Sequence, residues 1–412
     1  MNISYRYKVG TSLIAGLGLA LFMSSAWAAS HSGVVKVGLS TSLSGAVASL
    51  GQSGKQGIEL AIAELNAKGG LLGKQIKLVS VDDQLSPATG VTNVRNFILE
   101  DNVAAIFGPV SSSVAAAEEG IAAQYHVPIF FFISNDVDLT TKHFTKYAFQ
   151  VVPNTYMEPH AVAAYMIKKG WNRYDTISPN YSFGRSTVRQ FLAGMKKYGA
   201  KLNIVGQQWP KLGESDYTNY IPAILSKHPD AVFSGLYGGD LITFTKQAKG
   251  FNFFKKIHNN FYALFTMGAL KALGKDAPVG VIAANRAPFY AIHTAGMGHF
   301  STAYHQKYGQ WPSSWAVMGY TAVQTWSQGV KKARSFGGNQ VSAALSGATV
   351  KTIRGPIYLR ACDHQGDVRE YVGTLSPKIN PKYGFRVMDH VYAPNPQKIM
   401  MTCAQTLAMQ AH

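Results

Sequence analysis

Three serines that follow a glycine and a proline are the first residues in this sequence whose types and spacing could do chemistry. Residues 107–119 read FGPVSSSVAAAEE, so Ser111, Ser112 and Ser113 stand between a short apolar run and an alanine-rich helical stretch. Two kinds of chemistry fit such a segment. One serine could be a nucleophile, or the hydroxyls and the free backbone N–H groups of a helix start could hold an anion.

The nucleophile interpretation finds little support in the neighbouring sequence. A serine hydrolase places its nucleophile in a strained Gly-x-Ser-x-Gly turn or beside a base. The segment offers neither the second glycine nor a signal for a histidine partner. It does match a strand end, a loop and a helix whose first turn presents unpaired N–H groups together with hydroxyls. We therefore favour an anion site, and we expect one serine to cap the helix in either case.

Other segments with catalytic or metal-binding composition do not meet the spacing that such chemistry requires. The glycine-rich residues 69–75, GGLLGKQ, lack the spacing and the hydroxyl residue of a phosphate loop and are interpreted as a turn. The twelve histidines form neither an HExxH pattern nor a Cys/His cluster. The sequence therefore predicts no metal site and no cofactor.

The first 28 residues have the pattern of a cleaved signal peptide. Arg6 and Lys8 precede an apolar stretch over residues 9–23, and residues 26–28, AWA, supply a small-x-small cleavage site. No cysteine near that site predicts a lipid anchor, and no later stretch reaches the roughly 20 apolar residues of a membrane span. We expect an exported, soluble protein that is not anchored in the membrane.

The two cysteines, Cys362 and Cys403, both fall near the end of the chain. Export to an oxidising compartment favours a disulfide between them. Two unpaired buried thiols are the alternative. Closing this loop would add roughly 4 kcal/mol to the free energy of unfolding in the chain-entropy model.

Charge and length limit the class of protein further. Lys and Arg outnumber Asp and Glu by 39 to 21, and removing Arg6 and Lys8 lowers the formal charge only from +18 to +16. The basic residues occur as scattered pairs and not as a stripe interleaved with aromatic residues, which argues against nucleic acid as a partner. A chain of this length exceeds a single core, so we expect two domains.

Apolar strand-like runs alternate with amphipathic helical runs along most of the chain. This alternation predicts an α/β architecture with parallel sheets. The predicted strands of a first doubly wound unit lie at residues 34–40, 76–82, 104–108 and 127–133. Those of a second, similar unit lie near residues 173–178, 202–208 and 231–236, and a long amphipathic helix is predicted over 315–333.

The order of several segments resembles type I periplasmic substrate-binding proteins of ABC importers, in the branched-chain amino acid (leucine/isoleucine/valine-binding) branch. The segments are VVKVGLSTSLSGAVASLGQSGKQGIELAIAELNAKGGLLGKQIKLVSVDD (34–83), the Gly-Pro-x-Ser-Ser run at 108–112, YSFGRS (181–186) and PDAVFSGLYGGDLITFTKQAK (229–249). The resemblance covers essentially the whole chain after the signal peptide. It implies two doubly wound, Rossmann-like lobes joined by a three-segment hinge, with ligand bound in the cleft between them.

The same resemblance implies where the chain crosses between the lobes. The crossings are expected near residues 151–153, 283–286 and 353–358. Lobe 1 would then contain residues 29–151 plus 286–353, and lobe 2 would contain residues 152–285 plus 354–412.

The resemblance also implies ligand-binding residues in the first lobe. Ser112 matches the position that binds the carboxylate of the amino acid, with Ser111 and Ser113 beside it. The loop after the next strand places Ile133, Ser134 and Asn135 at further contact positions. The Asn135 amide could donate to the ligand, or this loop could simply form turns. Leu50 matches a position that contacts the ligand side chain and is often aromatic.

In the second lobe the resemblance points to the ends of two strands. Phe183 matches an aromatic residue that closes over the ligand, with Tyr181 two residues away, although Phe183 could equally serve the core. Tyr237 and Leu236 share a position after the strand at 231–236, where open α/β sheets place ligands. Asp240 is most simply a helix N-cap, with ligand contact as the alternative.

One departure from the family pattern concerns the ligand's amino group. Members that bind α-amino acids carry an acidic residue in the second lobe, but here the matching stretch, residues 266–274, reads TMGALKALG. A desolvated ammonium without a carboxylate partner is costly. We therefore expect a carboxylate ligand without the amine, such as an aromatic or aliphatic acid, or an amide.

Together these observations predict a monomeric periplasmic binding protein and not an enzyme. It would capture a small carboxylate-bearing molecule and deliver it to the membrane permease of an ABC importer by closing the hinge. A sensory protein that presents ligand to a receptor is one alternative, and a periplasmic serine hydrolase using Ser112 is another.

Overall fold

The computed structural model describes residues 1–4 and 33–411. Apart from its first four residues, the predicted signal peptide lies outside the described residues. Within the described part of the chain, no helix combines the length and the apolar character needed to cross a bilayer.

Five parallel strands form the sheet of the first lobe. They are β1 (Val34–Thr41), β2 (Gln75–Asp82), β3 (Ile106–Phe107), β4 (Ile129–Phe131) and β5 (Ala148–Gln150), in the order β2-β1-β3-β4-β5. The first three crossover helices are α1 (Ala48–Ala67), α2 (Pro87–Leu99) and α3 (Ser112–Gln124). Strands buried on both faces need continuous apolar runs, and the central strands β3 and β4 are fully buried.

Seven strands form the sheet of the second lobe. They are β6 (Arg173–Ile177), β7 (Asn203–Gln208), β8 (Ala231–Ser234), β9 (Phe261–Ala263), β10 (Ile282–Asn285), β13 (Tyr371–Asn380) and β14 (Phe385–Tyr392), in the order β14-β13-β10-β9-β8-β6-β7. The first five are parallel, and β13 and β14 are antiparallel additions. The helices between β5 and β10 are α4 (Met157–Met166), α5 (Ser182–Lys197), α6 (Tyr220–Leu225), α7 (Gly238–Gly250), α8 (Phe253–Lys256) and α9 (Met267–Leu273).

After β10 the chain returns to the first lobe. It forms α10 (Ala295–Tyr308), α11 (Ser314–Ala333), α12 (Gly338–Leu345) and a hairpin of β11 (Thr349–Thr352) and β12 (Gly355–Tyr358). Helix α11 packs against α1 so closely that a Cβ on Gly57 would lie 2.0 Å from the carbonyl oxygen of Ala316. A Cβ on Gly319 would lie 2.4 Å from the carbonyl oxygen of Gly54. This close approach fixes the start of α1 relative to the start of α11.

The α/β fold with two lobes agrees with the prediction, but the third crossing lies later in the chain than predicted. Residues 353–358 form the turn and second strand of the β11–β12 hairpin, with Gly355 at a φ of +102°. The chain then still lies beside the first sheet, because the Gly366 N–H donates to the Gln150 carbonyl across 2.9 Å. The third crossing therefore falls between Gly366 and the start of β13 at Tyr371.

The last helices divide between the two lobes. Helix α13 (Pro396–Ile399) packs on α4 of the second lobe. Helix α14 (Cys403–Gln410) is joined to the 360–366 loop by the predicted disulfide between Cys362 and Cys403, with an S–S distance of 2.04 Å. The Gln410 amide also donates to the carbonyl of Thr140 in the first lobe across 3.4 Å. The predicted boundary gave all of residues 354–412 to the second lobe, whereas residues 359–366 and α14 contact the first.

Candidate functional site

A small cavity lies between the two lobes, at the carboxyl ends of strands from both sheets. Its empty space amounts to about 260 Å³. The lining residues follow β3, β4, β6, β8, β9 and β10 or begin α1 and α11. They are Leu50, Val110, Ser112, Ile133, Asn135, Tyr181, Phe183, Tyr237, Leu264, Arg286 and Trp315. Open α/β sheets bind ligands at this edge, which makes the cavity the candidate ligand site.

Ser112 lies in the cavity wall at the first turn of α3. Its Oγ accepts hydrogen bonds from the backbone N–H groups of Asn135 (3.3 Å) and Asp136 (3.2 Å). These bonds leave the hydroxyl proton of Ser112 available as a donor to an anion. Its hydroxyl is bonded to N–H donors and not to a base, and no histidine is among the residues that line the cavity. This geometry suits an anion ligand and not a nucleophile.

The two serines beside Ser112 do not line the cavity. Ser111 is the N-cap residue of α3, as expected for one of the three serines, but its side chain makes no cap hydrogen bond. The Ser113 hydroxyl lies 3.2 Å from the hydroxyl of Ser182, at the start of α5 in the second lobe. Ser113 therefore joins the two lobes across the cleft.

The loop after β4 contributes Ile133 and Asn135 to the cavity wall. The Asn135 amide nitrogen donates to the Pro153 carbonyl (2.8 Å) and to Oε2 of Glu158 (3.4 Å). The donor that we expected for a ligand is therefore used to hold the first crossing. Ser134, the third residue predicted here, is buried but does not line the cavity.

Two residues after β8 that were predicted as ligand contacts do not line the cavity. Leu236 is fully buried in the core and does not line the cavity. Both carboxylate oxygens of Asp240 accept from the Gly213 N–H at 3.1 Å. The N-cap of α7 is Tyr237, so the prediction that Asp240 caps this helix was wrong. Burial raises the pKa of Asp240 to about 6.

Aromatic rings form the second-lobe wall of the cavity. The hydroxyls of Tyr181 and Tyr237 lie 2.7 Å apart, and the rings of Phe183 and Tyr237 meet edge to face with centroids 5.4 Å apart. Burial raises the pKa of both tyrosines above the usual value, so both hydroxyls stay protonated. One hydroxyl proton is shared within the pair, and the other remains for a ligand acceptor.

Arg286, which follows β10, is the cavity residue with the greatest chemical consequence that sequence reasoning missed. Its Nε donates to Oε2 of Glu158 across 2.8 Å, and its Nη1 donates to the Ile133 carbonyl across 2.7 Å. Its guanidinium carbon lies 5.9 Å from the ring centroid of Phe183 and 5.4 Å from that of Trp315. A guanidinium has five N–H groups. Three of them thus remain without a partner among the described residues.

The charges around Arg286 favour an anion in the cavity. Arg354 donates to the carbonyls of Val151 (3.0 Å) and Arg286 (2.9 Å), which places a second guanidinium at the hinge. Burial, reinforced by the charge of Glu158, raises the pKa of Glu370 well above its usual range and favours the neutral form of this carboxyl. Arginine stays charged in proteins. Two guanidiniums therefore lie at the hinge, and burial of Glu370 reduces the negative charge that opposes them.

Val110, Leu264 and Trp315 were also missed, and their sequence signals explain why. Each belongs to an apolar run or an amphipathic helix that core packing alone accounts for. Arg286 had a weak signal, because it is the last residue of a predicted crossing at the carboxyl end of a strand. A charged residue at that edge of a buried strand is a candidate for the site.

The fold and the cavity together define a two-lobed α/β binding protein with its site enclosed between the lobes. The family model described as periplasmic binding protein matches residues 34–378, and the chain belongs to this family. A relative, the Leu/Ile/Val-binding protein homolog 4 of Brucella abortus (strain 2308), is 24% identical over 396 residues. The alignment covers 90% of this chain and 92% of the relative.

Solved structures show the same fold. A periplasmic binding protein from Burkholderia mallei superposes with a TM-score of 0.83 at 21% identity, covering 91% of this chain and 98% of that chain. A solute-binding protein of an ABC transporter from R. palustris, in complex with benzoate, gives a TM-score of 0.77 at 24% identity, covering 88% and 97%. These likenesses agree with the two-lobed architecture described above.

Proposed function

We propose that this protein captures a small carboxylate without an α-amino group, an aromatic or short aliphatic acid, between its lobes. It is exported to the periplasm, acts as a monomer, catalyses no reaction, and delivers the acid to the membrane permease of an ABC importer. The observation that carries this proposal is Arg286 in the cavity wall together with Ser112, while none of the eleven lining residues is acidic.

The cavity offers a carboxylate three kinds of stabilisation. The free N–H groups of Arg286 can form charge-assisted hydrogen bonds, which are stronger than neutral ones. The hydroxyl of Ser112 remains a donor, and the N-terminus of the 13-residue α3 adds about 0.3–2 kcal/mol. An ammonium would meet none of these and would lie near a fixed positive charge. Its desolvation would remain uncompensated.

The remaining walls suit an apolar body. Aromatic and aliphatic side chains supply most of the lining, as is usual for small-molecule sites. Such walls suit the ring or the branched chain of an apolar acid. Related folds from Rhodopseudomonas palustris are known in complex with benzoate and 3,4-dihydroxybenzoic acid, and one from Streptococcus pneumoniae in complex with isoleucine. The family thus includes both ligand types, and the lining of this cavity favours the acids.

Delivery depends on hinge closure. Ligand contacts come from both lobes, since Ser112 belongs to the first and Tyr181 and Tyr237 belong to the second. The Ser113–Ser182 hydrogen bond also forms only when the lobes meet. A ligand that contacts both lobes shifts the open–closed equilibrium towards the closed form. The permease would then recognise the closed shape.

A matched thermal-shift experiment tests the proposal. 4-Methylpentanoate and leucine differ only in the amino group, and benzoate and benzamide differ in charge. A ligand present at 100 times its dissociation constant raises the free energy of unfolding of the protein by roughly 2.7 kcal/mol. We expect 4-methylpentanoate to stabilise more than leucine, and benzoate more than benzamide. Greater stabilisation by leucine, or product formation by the purified protein, would refute the proposal.

A further inference from the structure

A second, larger pocket adjoins the ligand cavity in the cleft. It has about 1,000 Å³ of empty space, partly open to solvent, and it shares Leu50 and Trp315 with the cavity. Its walls come from both lobes: α1 and residues 304–315 on one side, and α7 and α9 on the other. The side chains of Leu50 and Trp315 therefore belong to the walls of both the inner cavity and the outer pocket.

Several polar side chains on the first-lobe wall of this outer pocket already have hydrogen-bond partners. The Gln52 amide donates to the Leu43 carbonyl across 3.1 Å. The Tyr304 hydroxyl donates to Oε1 of Gln56, and the hydroxyls of Ser53 and Ser313 are hydrogen-bonded to each other. This wall is therefore polar but neutral.

The second-lobe wall contributes one charged side chain, Lys271 on α9. None of the seventeen lining residues is acidic. Within the described part of the chain, no carboxylate forms an ion pair with Lys271. Lys271 is an exposed residue, and partial desolvation lowers the pKa of its ammonium. A partly desolvated cation gains more from an anionic partner than a fully exposed one.

We infer that the outer pocket is a subsite for a second, distal carboxylate of an extended acid, with Lys271 as its partner. The inference rests on the proposed function, because the first carboxylate lies at Arg286. An acid too long for the inner cavity extends between Leu50 and Trp315 into the outer pocket. The ligand class is therefore a dicarboxylate whose two acid groups are separated by an apolar chain or ring.

The test uses α,ω-dicarboxylates of four to ten carbons and terephthalate, each paired with the monocarboxylate of the same skeleton. Affinities are measured by titration calorimetry on the whole mature protein. At one or more lengths, the dicarboxylate should bind about three- to tenfold more tightly than its monocarboxylate. Lys271→Gln should remove this gain and Lys271→Glu should reverse it, while both leave monocarboxylate affinity unchanged.

Lys275→Gln is the matched control, because Lys275 is exposed like Lys271 but lies in the turn that follows α9 and does not line the pocket. It should leave the gain intact. The inference is overturned if no dicarboxylate exceeds its monocarboxylate, or if Lys271→Gln preserves the gain. Failure of the proposed function gives a different result, in which neither acid of any pair binds.

Discussion

The Arg286 guanidinium donates from Nε to Oε2 of Glu158 across 2.8 Å, and the two side chains are only 4% and 2% exposed. Glu158 lies just after the first crossing between the lobes, and Arg286 follows β10 at the second crossing. The pair therefore ties two hinge segments together while leaving guanidinium N–H groups in the cavity. The Arg286 side chain can therefore both bind the ligand carboxylate and hold the hinge segments together.

Replacing Arg286 should weaken carboxylate binding. Arg286→Gln alone leaves Glu158 as a buried, unpaired charge, and breaking such a pair costs about 3–5 kcal/mol of unfolding free energy. The double variant Glu158→Gln/Arg286→Gln removes both charges and should recover most of that loss in a denaturant titration. The double variant should nevertheless bind benzoate at least tenfold more weakly than the wild type does. Its affinity for benzamide should change little. Retained benzoate affinity in the double variant would contradict the assigned role of Arg286.

The hydrogen bond between Tyr181 and Tyr237 should show coupling in a double-mutant cycle. Tyr181→Phe leaves the buried Tyr237 hydroxyl without its partner, which costs about 1–3 kcal/mol. The double variant Tyr181→Phe/Tyr237→Phe removes both hydroxyls and should be less destabilised than the sum of the single variants. Calorimetry should also show about tenfold weaker carboxylate binding in the double variant, because the remaining donor is lost. Strictly additive stabilities would show that the pair contributes nothing.

Two buried histidines should each contribute a loss of stability in acid. Burial lowers the pKa of His160 and His364 from 6.5 to about 4. As the pH falls below 6.5, the unfolded chain takes up protons that the folded chain accepts only near pH 4. Stability is thus fully present above pH 6.5 and is lost towards pH 4, by up to about 3 kcal/mol per histidine.

Denaturant titrations between pH 8 and pH 4 check this expectation. His160→Gln and His364→Asn should each flatten the acid side of the stability profile relative to the wild type. Asp240, whose pKa is raised to about 6, acts in the opposite direction. Its contribution is present below the unfolded-state pKa of about 4 and is lost as the pH rises through 6. Variants with the same acid slope as the wild type would refute the assignment to the histidines.

The disulfide should stabilise the attachment of α14 to the first lobe. Cys362 and Cys403 are 41 residues apart, and closing such a loop is worth up to about 4 kcal/mol in the chain-entropy model. The variant Cys362→Ser/Cys403→Ser should lose up to that amount, and amide exchange should increase most in residues 403–410. Benzoate affinity should be unchanged, since neither cysteine lines the cavity. Unaltered exchange in α14 would show that its other contacts suffice.

The close packing of α1 and α11 should matter for both stability and binding. A Cβ at Gly57 would lie 2.0 Å from the Ala316 carbonyl oxygen, so Gly57→Ala forces the helices apart. We expect a loss of about 1–3 kcal/mol and weaker ligand binding, because α11 carries Trp315 at its start. Gly120→Ala is the control, since this helical, exposed site has no atom within 4 Å of the new Cβ. It should stabilise by about 0.5–1 kcal/mol.

Local periodicity and length in the amino-acid sequence determined the α/β class and the two lobes, and two cysteines in an exported chain predicted the disulfide. Most of the cavity wall was predicted from the resemblance to a family of binding proteins. Strand and helix periodicity places residues such as Ser112, Asn135 and Tyr237 at carboxyl ends of strands. The edge of the sheet then brings them together. What each side chain does there was not determined in this way. The Asn135 amide holds the hinge, and Asp240 holds the Gly213 loop.

Only the tertiary structure decided the partners of residues far apart in the chain. Arg286 and Glu158 are 128 residues apart, and no local pattern predicts that they pair at the edge of the cavity. The third crossing likewise depends on the Gly366–Gln150 hydrogen bond, which keeps the chain at the first sheet after the hairpin. Long-range hydrogen bonds and buried charges depend on how the lobes pack. That packing is set by the whole core and not by any one segment.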